Sequence, residues 1–309
     1  MRLYRSIQSL SSQAEAGRRV ATIGVFDGLH LGHREILAET RRIAKQLECA
    51  SAVCSFEPMP MEYFAPESPP ARLTCFRERF ELLRATGIEE MFCPHFGTVR
   101  DLSPAEFVER LLVRGLGVRH IVVGHDFRYG AGRRGSFDEL LQAGDALGFG
   151  VSMVEAIASR GERISSTSIR RALQAGDLPR AKEMLGRDYA MSGRVVHGLG
   201  LGRELGFPTA NVNLKRRLAP VAGIFAVRVT GVGTQPIEGV ASVGNRPMIG
   251  GGKTLLEVYL FNFDRDIYGE YITVHFIERL REERTFVDLE AMKQQMHIDV
   301  GQAQAALLG

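Results

Sequence analysis

The sequence predicts two domains: an open parallel α/β sheet wound with helices on both faces, then a small all-β barrel or sandwich with a C-terminal helix. Three observations lead there. Short apolar runs alternate with amphipathic stretches through the first half, which is the pattern of repeated βα units. Beyond about residue 185 the chain turns to glycine-punctuated β segments. The length of 309 residues also suits two domains of roughly 100–200 residues each.

Taken in order, residues 20–25 form the first strand-type run, and residues 33–47 carry Ile36, Leu37, Ile43, Ala44 and Leu47 at helical spacing. Residues 52–56 read as a second strand. A proline-rich loop (Pro58, Pro60, Pro66, Pro69, Pro70) leads to a helix over 77–85 and a short strand at 91–93. Ser103, Pro104 and Glu106 predict a helix start: Ser103 as N-cap, Pro104 at the first helical position and Glu106 closing a capping box. Residues 121–123 read as a buried strand, 137–147 as a helix and 151–154 as a further strand. Two short helices, 168–175 and 178–185, precede the change of pattern. Strands are then expected at 194–196, 224–229, 239–243, 255–261 and 272–276, with a final helix over about 287–306. The boundary falls at about 185–190, giving domains 1–186 and 187–309.

Composition narrows the function. Hydrophobic residues make up 45% and charged residues 24%, ordinary for a soluble globular protein. A formal charge of +3, from 39 basic and 36 acidic residues, is too weak a bias for a nucleic-acid partner. Cys49, Cys54, Cys75 and Cys93 form no CxxC pair and read as free thiols in a reducing compartment. Residues 1–12 hold no signal-type apolar run, and no apolar stretch approaches the ~18 residues of a membrane span. A cytoplasmic protein is expected.

Three segments carry chemistry. The run Gly24-Val25-Phe26-Asp27-Gly28-Leu29-His30-Leu31-Gly32-His33 joins the first strand to the first helix. Its glycines let the backbone approach a ligand, and a helix N-terminus suits phosphate. His30 and His33, three apart, can aim two imidazoles at one point and donate hydrogen bonds to a phosphate that gains charge. No covalent nucleophile is needed where positioning and charge stabilisation dominate. By itself the spacing equally suits an ordinary loop or half of a metal site, with Asp27 the one obvious neighbour. Ser165-Ser166-Thr167-Ser168-Ile169-Arg170 opens a helix after the last predicted strand of the first half. Its hydroxyls and amides can wrap phosphates and Arg170 can neutralise a leaving group, although alone it also reads as a plain N-cap. In the second half, Gly198, Gly200, Gly202 and Arg203 belong to a glycine-rich flap that lacks the GK[ST] of a Walker A loop. Thr209 and Asn211 follow, two apart, so that in extended chain their oxygens face one side and can hold Mg²⁺ beside ATP phosphates. Hairpin chemistry accounts for the same residues.

The pairing of HxGH with SSTxIR resembles the nucleotidylyltransferase superfamily. The longer form, GVFDGLHLGH with SSTSIR, resembles the FMN adenylyltransferase domain of prokaryotic bifunctional riboflavin kinase/FAD synthetases. Gly124-His125-Asp126-Phe127-Arg128-Tyr129-Gly130 is similar to the family's GxDFxFG-type loop. By that resemblance Gly124, Asp126 and Arg128 contact nucleotide or flavin, as do Gly24, Phe26, Asp27, Gly28, Ser165, Ser166 and Thr167, while the role of Phe127 stays open. GRELGFPTAN resembles the riboflavin kinase motif GRxLGFPTAN, and LEVYLFNFD with DIYG is similar to the segment that carries the family's general base, which falls on Glu257. A solvent-facing strand residue is the other reading of Glu257. Tyr259, Asn262, Phe225 and Met248 depart from the family's usual residues.

The resemblance implies a nucleotidylyltransferase-type doubly wound sheet followed by a small all-β barrel with a C-terminal helix. It implies phosphorylation of riboflavin to FMN and adenylylation of FMN to FAD, with ATP as co-substrate and Mg²⁺ as cofactor. Glu257 would be catalytic in the first reaction and His30, His33 and Arg170 in the second. The rival expectations are another adenylyltransferase, for pantetheine phosphate or nicotinamide mononucleotide, with an accessory β domain, and a flavin- or nucleic-acid-binding protein without turnover. The PTAN and Glu257 blocks weigh against the first, and intact His30, His33, Arg170 and Glu257 against the second.

Overall fold

The computed structural model describes residues 1–6, 18–198, 201–246 and 253–308. By its internal contacts the chain divides into two units. One comprises Met1–Pro70 and Arg79–Ile164, and the other Ala71–Glu78 and Ser165–Gly309.

The first unit is built on six parallel strands: β1 (Arg2–Tyr4), β2 (Arg19–Ile23), β3 (Ala50–Cys54), β4 (Glu90–Phe92), β5 (Val118–Gly124) and β6 (Gly150–Val154). Their order is β1-β4-β3-β2-β5-β6, with every pair parallel. From β2 the chain proceeds to β3 on one side and later to β5 on the other, so the order reverses between β2 and β5. Loops at the carboxyl ends of those two strands flank the crevice where open α/β sheets bind ligands. Helix α1 (Leu31–Gln46) covers one face, where Ile43 and Ala44 meet Val20 and Val122. The opposite face buries Ala21, Ile23, Ile121 and Val123 against Leu111, Leu112 and Leu140. Burial on both faces explains why these strands read as apolar runs without alternation.

The short helix α2 (Pro60–Phe64) interrupts the proline-rich stretch, and α3 (Phe76–Ala85) follows. The expected capping box is present: Ser103 Oγ accepts from Glu106 N at 3.2 Å and the Glu106 carboxylate accepts from Ser103 N at 3.0 Å. After one turn, α4 (Pro104–Glu106), the chain widens into a π-wound segment, Phe107–Leu116. Helix α5 is Phe137–Leu147, and a two-residue hairpin, β7 (Ala158–Ser159) with β8 (Glu162–Arg163), closes the unit. Several elements differ from expectation. The edge strand β1 and the hairpin are too short to show a period, α2 lies in the expected loop, and β2 and β3 end at Ile23 and Cys54, short of the expected 25 and 56.

The second unit opens with α6 (Ser166–Ala175) and α7 (Leu178–Leu185). A closed antiparallel barrel follows: β9 (Ala190–Val196), β10 (Thr209–Asn213), β11 (Gly223–Thr230), β12 (Ile237–Arg246), β13 (Lys253–Leu260) and β14 (Tyr271–Arg281), in the order β10-β13-β12-β11-β14-β9. Closure decides between the two architectures that the sequence left open. Phe225, Val227, Ala241, Leu256, Val258 and Phe276 are buried at alternate strand positions. A one-turn helix, α8 (Leu201–Glu204), lies within the expected flap. The C-terminal helix α9 (Leu289–Leu307) lays Ala303 and Leu307 on Ala226, with Val240 and Leu280 packed beside them.

Residues 71–78 belong to this unit, and a buried ion pair is central to their attachment, beside hydrogen bonds from Tyr189 to Leu73 O and from Arg216 to Arg72 O. The Arg216 guanidinium meets the Glu78 carboxylate, their side chains 0% and 7% exposed. Glu78 also accepts from Ser192 N of β9 at 2.6 Å and from Cys75 N at 2.7 Å. Arg216 donates to Tyr189 Oη at 3.0 Å. Removing one partner of such a pair strands the other charge. Glu78→Ala should therefore cost about 3–5 kcal/mol in chemical denaturation, and Glu78→Leu combined with Arg216→Met should recover much of it. A fragment of residues 187–309 lacks Glu78 and should carry the same penalty. A loss below about 1 kcal/mol in Glu78→Ala, the size of a surface pair, would contradict this assignment.

Candidate active sites

In the first unit, residues 24–33 make a tight loop between β2 and α1. Phe26 (φ 53°), Gly28 (φ 80°) and Leu29 (φ 42°) all take left-handed backbone, two of them against ordinary steric preference. Gly24 is required because a Cβ there would stand 3.1 Å from the Phe26 ring. Phe26 and Asp27 are both buried. His30 is the N-cap of α1, its Nδ1 accepting from His33 N at 3.3 Å. An accepting Nδ1 fixes the proton of the neutral ring on Nε2, which becomes the donor. His30 and His33 stack across the first turn with centroids 3.6 Å apart and planes 17° from parallel. The Phe26 ring closes on His33 at 5.1 Å. His33 Nδ1 is buried without a hydrogen-bond partner among the described residues. Burial first, and the neighbouring His30 second, hold the His33 pKa well below its ordinary 6.5.

The loop after β5 lies across the switch point. A Cβ on Gly124 would stand 3.3 Å from Ile36 of α1, so the small residue keeps helix and strand close. Asp126 pairs with Arg163 of β8 at 2.6 Å. Burial raises its pKa, but the hydrogen bond and charge of Arg163 outweigh that and leave it below the usual carboxylate range. Asp126 thus has a protein partner already, whereas Arg128 is exposed. Phe127 stacks on Tyr129, with centroids 5.7 Å apart, and packs against the core.

In the second unit, Ser165 is the N-cap of α6. Its Oγ accepts from Ser168 N at 3.1 Å, and Ser168 Oγ accepts from Ser165 N at 3.0 Å. Ser166 and Thr167 occupy the first helical turn, and Arg170 Nε donates to Ala71 O at 2.7 Å.

The barrel presents a second site on its outer face. Leu256 and Val258 of β13 are buried and point into the barrel, so Glu257 and Tyr259 point out. Register sets Asn211 of β10 on one side of Glu257 and Ser242 of β12 on the other. Thr209 is opposite Tyr259, so Thr209 and Asn211 share the face of Glu257. Thr209, Ser242, Glu257, Tyr259, Glu283 and Arg284 line a cavity of about 320 Å³. Thr209 also lines a second cavity of about 180 Å³, with Arg203, Asp264, Asp266 and Tyr268. Ala210 and Val258 also line the smaller cavity, so Thr209 borders both cavities from the strand between them. No hydrogen bond or ion pair reaches the Glu257 carboxylate among the described residues. A Cβ on Gly202 would stand 3.0 Å from Thr209 Oγ1, and one on Gly198 would overlap the Asn211 amide, so the flap folds directly over both side chains. Gly200 and Met248 lie outside the described residues.

Several lining residues were not assigned to the site from the sequence, although residues 279–283 and the last helix resemble the family's. Arg281 holds Asp299 of α9 with two bonds of 2.8 and 2.7 Å, and Gln295 Nε2 donates to Asp299 at 2.7 Å. Arg284 donates to Gln295. Burial raises the pKa of Glu283, Arg281 pulls it back and Glu257 adds to the rise. A further sequence signal was the i, i+4 spacing of Gln295 and Asp299 on a helix. In the first unit Arg79, fully buried, was missed as well.

Comparison with known proteins agrees with both halves. The FAD synthetase family matches residues 12–168 and the riboflavin kinase family residues 185–307. A Pseudomonas fluorescens bifunctional riboflavin kinase/FMN adenylyltransferase is 45% identical over 307 residues, covering 99% of this chain and 97% of that one. The Escherichia coli K12 protein of the same name is 42% identical, covering 97% and 96%. A crystal structure described as a macrolide-efflux protein from Streptococcus pneumoniae superposes with a TM-score of 0.81 at 28% identity, covering 96% of each chain.

The depressed His33 pKa fixes the sign of a pH effect. Below the ordinary value of 6.5 the unfolded chain takes up a proton that the folded ring refuses, so stability falls with pH through that range. In ligand-free protein the His33 ring resonances should stay neutral as pH is lowered from 8 through about 6.5, and His33→Gln should lose less stability over the same acid range. A ring that titrates at its ordinary value would contradict the geometry.

Proposed function

The chain belongs to the bifunctional riboflavin kinase/FMN adenylyltransferase family, and from that membership we propose how its residues divide the work. It phosphorylates riboflavin to FMN with ATP, then adenylylates FMN to FAD with release of pyrophosphate. We assign adenylylation to residues 1–186 and phosphorylation to residues 187–309.

In the kinase, Glu257 accepts the proton of the ribityl 5′-hydroxyl as that oxygen attacks the γ-phosphorus of ATP, and ADP leaves. The observation that carries this reading is Glu257 itself: a carboxylate with no ion pair among the described residues, facing a cavity that Thr209 borders together with a second one. Flavin occupies the larger cavity and nucleotide the smaller. The amides of Gly198, Gly200 and Gly202 and the side chain of Arg203 cover the phosphates. Thr209 and Asn211 would hold Mg²⁺. They offer neutral oxygens on one strand face, which fits an ion taking most of its ligands from phosphate and water. Bound there, Mg²⁺ supplies neutralisation of phosphate charge.

In the transferase, a phosphate oxygen of FMN attacks the α-phosphorus of ATP, and the bond to the β-phosphate breaks. His30 through Nε2–H, His33 and Arg170 bear the charge that develops on the transferred group and on pyrophosphate. Gly24, Phe26, Asp27 and Gly28 shape the phosphate loop. Gly124, Asp126 and Arg128 contact nucleotide or flavin from the β5 side, and Ser165, Ser166 and Thr167 add hydroxyls and amides.

We place the enzyme in the cytoplasm, working on small molecules rather than nucleic acid or membrane. In support, the four cysteines are free, the net charge is +3, and no helix among the described residues is long and apolar enough to cross a membrane.

Paired assays on single preparations test the division. Glu257→Gln should lower riboflavin phosphorylation by about 10²–10⁴, the usual contribution of a general base, and leave adenylylation of supplied FMN near wild type. His30→Ala and His33→Ala should do the reverse, lowering FAD formation by about 10²–10³. Near-normal kinase activity in Glu257→Gln excludes it as the base, and unchanged FAD formation in both histidine variants reduces them to loop residues.

A further inference from the structure

Arg79 is fully buried, yet nothing in the mechanism above uses it. A guanidinium is always charged, and burying one requires partners that fix its place. Here they are Val25 O, which accepts from Nη1 at 3.1 Å, and Phe56 O and the Glu57 carboxylate, which accept from Nη2 at 3.2 and 2.9 Å. Val25 O accepts a second bond, from the fully buried Ser55 hydroxyl at 3.2 Å. Two donors, one of them charged, thus hold a single carbonyl of the phosphate loop. That carbonyl belongs to the peptide preceding Phe26, the residue at φ 53°.

A planar trans peptide points its N–H opposite to its C=O. Fixing Val25 O toward Arg79 and Ser55 therefore turns the Phe26 N–H the other way. That N–H donates to no protein group among the described residues, although Phe26 is only 1% exposed. Buried amides without a partner are rare, and one held in place in a loop whose His33 Nδ1 is also buried without a partner among the described residues points to a ligand acceptor.

We infer that Arg79 is a positioning residue for adenylylation: with Ser55 it clamps the Val25–Phe26 peptide so that the Phe26 N–H is presented to phosphate oxygen. Arg79 touches no substrate. It acts by preventing rotation of that peptide, and its charge polarises the peptide toward a stronger donor. The inference rests on the reading of residues 24–33 as the adenylylation loop.

The test uses the full chain and three variants, Arg79→Met, Arg79→Lys and Ser55→Ala, with FMN-to-FAD and riboflavin-to-FMN rates measured on each preparation. Losing a donor to developing charge costs about 10²–10³ in kcat, so Arg79→Met should lose about 10²-fold in kcat for FAD formation, with KM for FMN little changed. Arg79→Lys should recover part of the loss, because an ammonium can reach the same carbonyl. Ser55→Ala should lose several-fold in kcat. Riboflavin phosphorylation should stay near wild type in all three. Should Arg79→Met fail to fold, the other two variants decide. Wild-type kcat for FAD formation in both Arg79→Lys and Ser55→Ala overturns the inference, as does equal loss of both activities in those two. A His33→Ala control separates the levels. If it also keeps full FAD formation, the reading of the loop falls. If it loses FAD formation while Arg79→Lys and Ser55→Ala do not, only the clamp falls.

Discussion

A buried guanidinium cannot shed its charge, and two such groups fix much of this structure. Arg216 lies within the barrel unit and needs the Glu78 carboxylate, which in turn accepts from the backbone of β9. Arg79, the next residue after Glu78, needs Glu57 and two backbone carbonyls of the parallel-sheet unit. Neither arginine can be moved without leaving an unpaired charge in a low-dielectric interior, a cost of several kcal/mol. Glu78 fixes residues 71–78 to the barrel, and Arg79 fixes the Val25–Phe26 peptide at the start of residues 24–33.

Most of the fold was legible because its elements are periodic. The buried parallel strands read as apolar runs, α1 and α5 as amphipathic stretches, and α4 from its capping box, all set by neighbours within a few residues. The proposed site residues stood out for a different reason: glycine at positive φ, paired histidines at a helix start, and Thr209 with Asn211 two apart each have a local cause. What stayed hidden depends on distant partners. Glu78 and Arg216 are 138 residues apart, and nothing near either marks the other. Residues 71–78 consequently read as part of the first half, although their contacts belong to the second unit. The Arg281–Asp299–Gln295 network was hidden likewise, because a polar residue on a helix reads as solvent-facing until its partner is known. Asp126 shows the converse. Its place at a strand end suggested a ligand contact, and it already pairs with Arg163.

The two sites solve related problems with different scaffolds. Both reactions move a phosphorus centre of ATP to an oxygen of flavin, and neither requires a covalent intermediate. The attacking hydroxyl of riboflavin must lose a proton, so the kinase needs a base. The base we propose is Glu257, which strand alternation turns out of the barrel while Leu256 and Val258 turn in. The phosphate of FMN attacks without that need, so in our proposal the transferase offers donors alone: the His30 and His33 imidazoles, loop amides and a helix N-terminus, with burial holding the His33 pKa low.

The central claim is that each reaction has its own complete set of groups, so that FMN made at one can be used at the other. Complementation in trans tests it most directly. Glu257→Gln and His33→Ala chains, each unable to carry riboflavin through to FAD, are mixed at equal concentration with riboflavin, ATP and Mg²⁺, and the flavins are separated by chromatography. The account predicts that FAD accumulates in the mixture, after a lag during which FMN rises, and in neither variant alone. A mixture that makes no FAD, although the His33→Ala chain produces FMN and the Glu257→Gln chain adenylylates supplied FMN, would contradict it.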